Sequence, residues 1–152
     1  MAKFIYKMQN ILNIKMRLET QAKTEFAEAM ARLEQEEEKM RRLILRKRGY
    51  ETDIKAMADK RLDVNELKRS NEYVKIMQEM IKQQAVVLRI AEKNLDRARQ
   101  KLNESIQDRK MHEKLKEKAF DEFKLELNDE EKKEIDELVS FSYNNNVSDE
   151  QE

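Results

Sequence analysis

The chain has 152 residues, 42% of them charged and 39% hydrophobic, with one glycine and no proline, tryptophan or cysteine. Lys plus Arg number 32 and so do Asp plus Glu, so no bulk charge draws the chain to nucleic acid or to an anionic membrane surface, and disulfides and thiolate metal sites are excluded. No apolar run approaches the roughly 18 residues of a membrane span, and the start lacks a signal peptide's apolar middle, so the expectation is a soluble cytoplasmic chain made of long helix.

Residues 3–58 carry apolar side chains at spacings of three and four. The series includes Phe4, Met8, Ile11, Leu18, Ala22, Phe26, Ala29, Leu33, Met40, Leu43, Tyr50, Ile54 and Met57. This is the pattern of a coiled-coil helix, with a stutter at Leu18, Ala22 and Phe26 that unwinds the supercoil locally without ending it. Gly49 is a soft point costing about 1 kcal/mol relative to alanine. Over residues 58–66 the pattern weakens, and Asp63 followed by Glu66 has the spacing of a capping box that starts a new helix. A turn at about 59–64 follows.

The second helix, about 65–127, holds the clearest seam in the chain. Leu67, Val74, Ile81, Leu88, Leu95 and Leu102 recur every seven residues, with Met77, Ala91 and Ala98 at the intervening positions. A fold-back about residue 62 sets Leu33 against Ala91, Ala29 against Leu95, Phe26 against Ala98 and Ala22 against Leu102. Large residues thus meet small ones, which a parallel dimer would not achieve. The predicted fold class is all-α: a long two-helix antiparallel coiled-coil hairpin over 1–127, monomeric.

From 103 to 118 the seam thins to Ile106 and Leu115, with Ser105, Arg109 and His112, and Lys15 would face Arg109, a wet or splayed layer. Ala119, Phe120 and Phe123 then lie opposite Phe4 and Ile5, so the chain ends should sit together. Asn128 with Glu131 either caps a further amphipathic helical segment over 128–141, containing Ile135, Leu138, Val139 and Phe141, or the second helix runs on. Residues 142–152 are predicted to be a disordered acidic tail.

A two-helix hairpin offers no closed pocket, and the chain has no glycine-rich phosphate loop and a single histidine, His112. No enzymatic activity, cofactor or metal is therefore expected. The basic cluster Arg41, Arg42, Arg46, Lys47 and Arg48 is preceded by Glu34 and Glu36 to Glu38 and lacks interleaved aromatics, so it reads as a solvated face and not a nucleic-acid site. One feature exceeds what a hairpin needs. Tyr73, Met77, Met80 and Gln84, with Ile76 adjoining, form a second stripe beside the seam, and Tyr73, Ile76 and Met80 should stay partly exposed as a partner surface.

The segments Phe4-x-Tyr6-x-x-Gln9-x-x-Leu12-Asn13-Ile14-Lys15, Glu19, Ala22-Lys23 and Phe26-Ala27 resemble the FliJ family of bacterial flagellar type III export. The likeness continues through Leu43, Tyr50, Tyr73 to Gln84, Ala91-Glu92-x-x-Leu95 and Arg109-Lys110-x-x-Glu113-Lys114-Leu115. The resemblance implies a cytoplasmic export component peripheral to the membrane, similar to the central stalk of rotary ATPases. It would bind and stimulate the hexameric export ATPase, couple it to the membrane export-gate protein and escort export chaperones. It also implies a gate contact through Leu43, Tyr50, Tyr73, Met77, Met80 and Gln84. Arg46, Lys39 and Gln84 depart from the family pattern, standing where relatives carry an aromatic, an amide and a histidine. The apolar residues near both helix ends, Phe4, Ile5, Phe120 and Phe123, are the candidates for the ATPase ring. The rival reading is a structural or holdase-type coiled coil unrelated to secretion, which would have to assemble into oligomers.

Overall fold

The computed structural model describes residues 2–59 and 63–149. Two helices account for nearly all of them: α1, Gln9–Ala58, and α2, Val64–Asp149, with no strand among the described residues. Both are rich in Ala, Leu, Glu, Lys, Arg, Met and Gln, which lose little side-chain freedom in a helix. The chain is all-α, as its heptad pattern requires.

α1 begins at Gln9, several residues later than the apolar spacing suggests. Residues 2–6 are non-helical, Lys7 and Met8 form a turn, and the Tyr6 and Met8 carbonyls accept the first backbone N–H groups of the helix. The cause is the packing of Phe4, whose ring is drawn onto α2 in the cluster described below. The expected turn falls largely on Lys60, Arg61 and Leu62, which lie outside the described residues. Asp63 starts α2 as its N-cap: its Oδ1 accepts the Asn65 N–H at 3.0 Å and its carbonyl accepts the Leu67 N–H at 3.0 Å. α2 then runs without interruption through Asn128 to Asp149. The segment from 142 to 149, predicted to be disordered, is therefore helical. Nothing between 128 and 149 breaks the helix, because Asn144 to Asn146 have only modestly poor propensity and no Pro or Gly follows Leu127.

The structure divides into two compact units, one of residues 1–18 and 106–152 and the other of residues 19–105. The division falls where the second helix's seam turns from apolar to charged. In the larger unit the two helices run antiparallel. Lys101 Nζ meets Glu25 Oε2 at 2.8 Å, Arg99 lies over the Phe26 ring, Gln84 meets Glu36, and Tyr73 meets Tyr50. Because two helices shield each other along one strip only, full burial is confined to the seam: Ala22, Met77, Ala91, Glu19, Glu36 and Ser70. In the smaller unit Leu12 is buried. The layer of Lys15 and Arg109, expected to be wet or splayed, is part-exposed and pairs both cations with acids. Lys15 Nζ reaches Asp108 Oδ2 at 3.5 Å, and Arg109 turns along its own helix to Glu113 at 2.8 Å.

Candidate functional site

The larger unit carries the candidate gate surface. Tyr73 is 45% exposed, and Ile76 and Met80 are exposed as well. The Tyr73 ring lies 5.2 Å from that of Tyr50, tilted by 32°, so a residue from each helix contributes to one aromatic patch. Leu43, Met80 and Gln84 share a groove of about 630 Å³ with Lys39, Arg42, Leu45 and Arg46. Leu43, Leu45 and Met80 give it an apolar lining, and Lys39, Arg42 and Arg46 add three cations. Lys39 lies 3.5 Å from Glu36 and Arg42 3.4 Å from Glu38, whereas Arg46 has no ion pair among the described residues.

The six residues expected at the gate contact are thus neighbours, but they are not equivalent. Met77 is only 7% exposed and belongs to the seam, so it cannot meet a partner directly. Gln84 is half-buried, and its amide is committed inward: Nε2 donates to Glu36 Oε2 at 2.7 Å and to the Glu36 carbonyl at 3.0 Å. Glu36 itself is 2% exposed and also receives Arg32 at 3.2 Å. The hydrogen bond from Gln84 holds its carboxyl below the usual glutamate range against the opposing effect of burial, helped by the charges of Lys39 and Arg32.

Sequence reasoning missed two residues here. Glu36 was grouped with an exposed acidic block, and Leu45 was passed over because it lies off the seam. The signal for Glu36 was available, since Leu33, Glu36, Met40 and Leu43 follow the three-four-three spacing of seam positions. Leu45 was legible as an apolar residue standing among Arg41, Arg42, Arg46 and Arg48. Within that basic cluster Arg41 reaches Glu38 at 2.9 Å and Lys47 reaches Glu51 at 3.6 Å, so neighbouring acids neutralise part of it.

The smaller unit brings together three of the four residues expected at the ATPase. The Phe4 ring lies 5.2 Å from Phe120, edge-on, and 5.4 Å from Phe123, with Tyr6 stacked at 6.5 Å. Lys124 Nζ sits 4.5 Å above the Phe120 ring. Ile5, the fourth, is 78% exposed. A second groove of about 470 Å³ runs beside the cluster, lined by Phe4, Leu12, Met16 and Phe120 with Glu113, Lys116 and Glu117. His112 is half-buried, and its Nδ1 and the Tyr6 hydroxyl are buried without a hydrogen-bond partner.

Among the described residues no helix is long and apolar enough to cross a membrane, and no three acidic or histidine side chains are grouped as metal ligands. Neither a curated protein nor a solved structure matches the chain. A family profile does: that of the flagellar FliJ protein, over residues 4–148. The match spans both units, including the helical stretch beyond Leu127, and this chain therefore belongs to the FliJ family of flagellar protein export components.

Proposed function

We propose that this protein is a non-enzymatic, stalk-like coiled coil that binds and stimulates the hexameric export ATPase, links it to the membrane export gate and escorts export chaperones. It works in the cytoplasm, at the inner face of the membrane. The observation that carries the gate contact is the exposed side of the larger unit, where Tyr73 stands exposed and Met80 lines a groove with Leu43 and Leu45. Exposed apolar side chains that the helix pairing does not use favour a partner surface. The contact is made by Leu43, Tyr50, Tyr73 and Met80, with Gln84 lining the groove and Met77 buried in the seam. At the ATPase, Phe4, Phe120 and Phe123 form the aromatic cluster of the smaller unit and Ile5 supplies an accessible apolar side chain.

Two measurements test this reading. Titration calorimetry against the cytoplasmic part of the gate protein should lose at least tenfold in affinity for Tyr73→Ala/Met80→Ala; unchanged affinity removes the gate assignment. Adding the protein to the cognate ATPase should raise ATP turnover, and Ile5→Asp should reduce that gain. No stimulation at saturating protein removes the stalk reading.

A further inference from the structure

The last part of α2 carries a surface that neither helix pairing nor the reading above employs. Every residue from 128 to 145 is exposed. Within this stretch Ile135, Leu138 and Val139 are 58%, 67% and 62% exposed, at the spacing that places them in one strip of a helix. Tyr143, 70% exposed, extends the strip's edge. Helices of this length normally owe their stability to an apolar face packed against something, so a long helix with an uncovered strip is a docking element waiting for its other half.

Charge identifies the occupant. Residues 126–141 contain seven carboxylates against two lysines, Lys132 and Lys133. At 100° per residue Glu131 lies in line with the apolar strip and Glu134 borders it on one side, while Lys132 and, beyond it, Asp136 border the other. A second copy of this chain laid on the strip would set carboxylates against carboxylates, a juxtaposition that costs several kcal/mol in a binding interface. A helix with apolar residues flanked by lysines or arginines would bury the same strip and pair with Glu131 and Glu134, the acids in line with it and on its Leu138 side. We propose that residues 128–143 form a docking helix for a basic amphipathic helix of a partner protein.

The test uses the full chain and two synthetic amphipathic peptides with the same leucine stripe, one flanked by lysines and the other by glutamates. Binding is read by fluorescence anisotropy at low and at physiological salt. The lysine peptide should bind at least tenfold more tightly than the glutamate peptide, with the difference shrinking as salt rises. Ile135→Ser/Leu138→Ser/Val139→Ser should weaken the lysine peptide at least tenfold without moving the melting temperature. Glu131→Lys/Glu134→Lys/Asp136→Lys should shift the preference toward the glutamate peptide. Equal binding of the two peptides by the unmodified chain overturns the proposal, as does a triple-serine variant that binds like the parent. Sedimentation showing a dimer that the triple-serine change dissolves also overturns it, because the strip would then be covered by a second copy.

Discussion

Glu36 illustrates how a single seam position sets the behaviour of its surroundings. A buried carboxylate is tolerated because Gln84 donates to it across the helix pair and Arg32 and Lys39 lie beside it. Its carboxyl is held below the usual range chiefly by the Gln84 hydrogen bond. A group whose pKa is depressed by folding adds stability above its unfolded pKa and withdraws it as the pH falls through the folded value. The melting temperature is therefore expected to be level between pH 7 and 5 and to fall as the pH drops below about 4. Glu36→Gln should flatten that acid limb, and a limb of unchanged steepness in thermal melts would separate it from Glu36. Gln84→Ala strands the carboxylate and should lower the melting temperature at pH 7, whereas Glu36→Leu/Gln84→Leu, which removes both partners, should restore it. Gly49 poses the opposite case. It lies inside α1 with nothing within 4 Å of where a Cβ would sit, so no packing reason for a glycine exists in the folded chain. Gly49→Ala should stabilise by about 1 kcal/mol in chemical denaturation, and a loss would reveal a contact at that position.

At the scale of the element, the two helices were legible because heptad spacing is a local property. Leu67 to Leu102 announces a seam in the sequence alone, and its size matching with Ala22, Ala29 and Leu33 announces an antiparallel partner. Ala91, only 5% exposed, shows how closely that seam is filled. Ala91→Leu should cost about 1–3 kcal/mol in urea unfolding through overpacking, and a neutral result would mean the seam opens at that layer. What spacing could not reveal is which polar residues are drawn inside. Glu19, Glu36 and Ser70 all occupy seam positions, yet their identity argues for solvent, and only a facing partner such as Gln84 decides the contest. The stripe beside the seam was likewise half legible. The exposure of Tyr73, Ile76 and Met80 follows from their helix position, while Met77 falls in both the seam and the stripe by spacing, and its burial resolves it to the seam. The start of α1 and the end of α2 escaped for different reasons. Phe4 leaves the helical path to join Phe120 and Phe123, a contact distant in sequence, whereas residues 142–149 stay helical because nothing in their sequence stops a helix already under way.

At the scale of the whole chain, the residues that hold the helices together are not those left exposed. The seam, the Glu36 and Gln84 pair and the Phe4 cluster hold the helices, while Tyr73, Met80, Leu45 and the strip at Ile135 remain open to other molecules. This separation has a measurable consequence beyond Leu127, the last half-buried position of α2. Residues 128–145 contribute helix but no burial, so ending the chain after Leu127 removes backbone hydrogen bonds that water replaces and little apolar packing. Circular dichroism of the shortened chain should show the helical signal falling in proportion to the residues removed. Its melting temperature should stay within about 2 °C of the parent, the shift that less than about 1 kcal/mol causes in a chain of this size. A drop of 10 °C would mean that the extension folds back on the rest of the molecule in solution and that its apolar strip is already occupied. An unchanged melting temperature would leave an amphipathic helix, running to Asp149, that the protein's own stability does not use and whose apolar strip stays open to a partner.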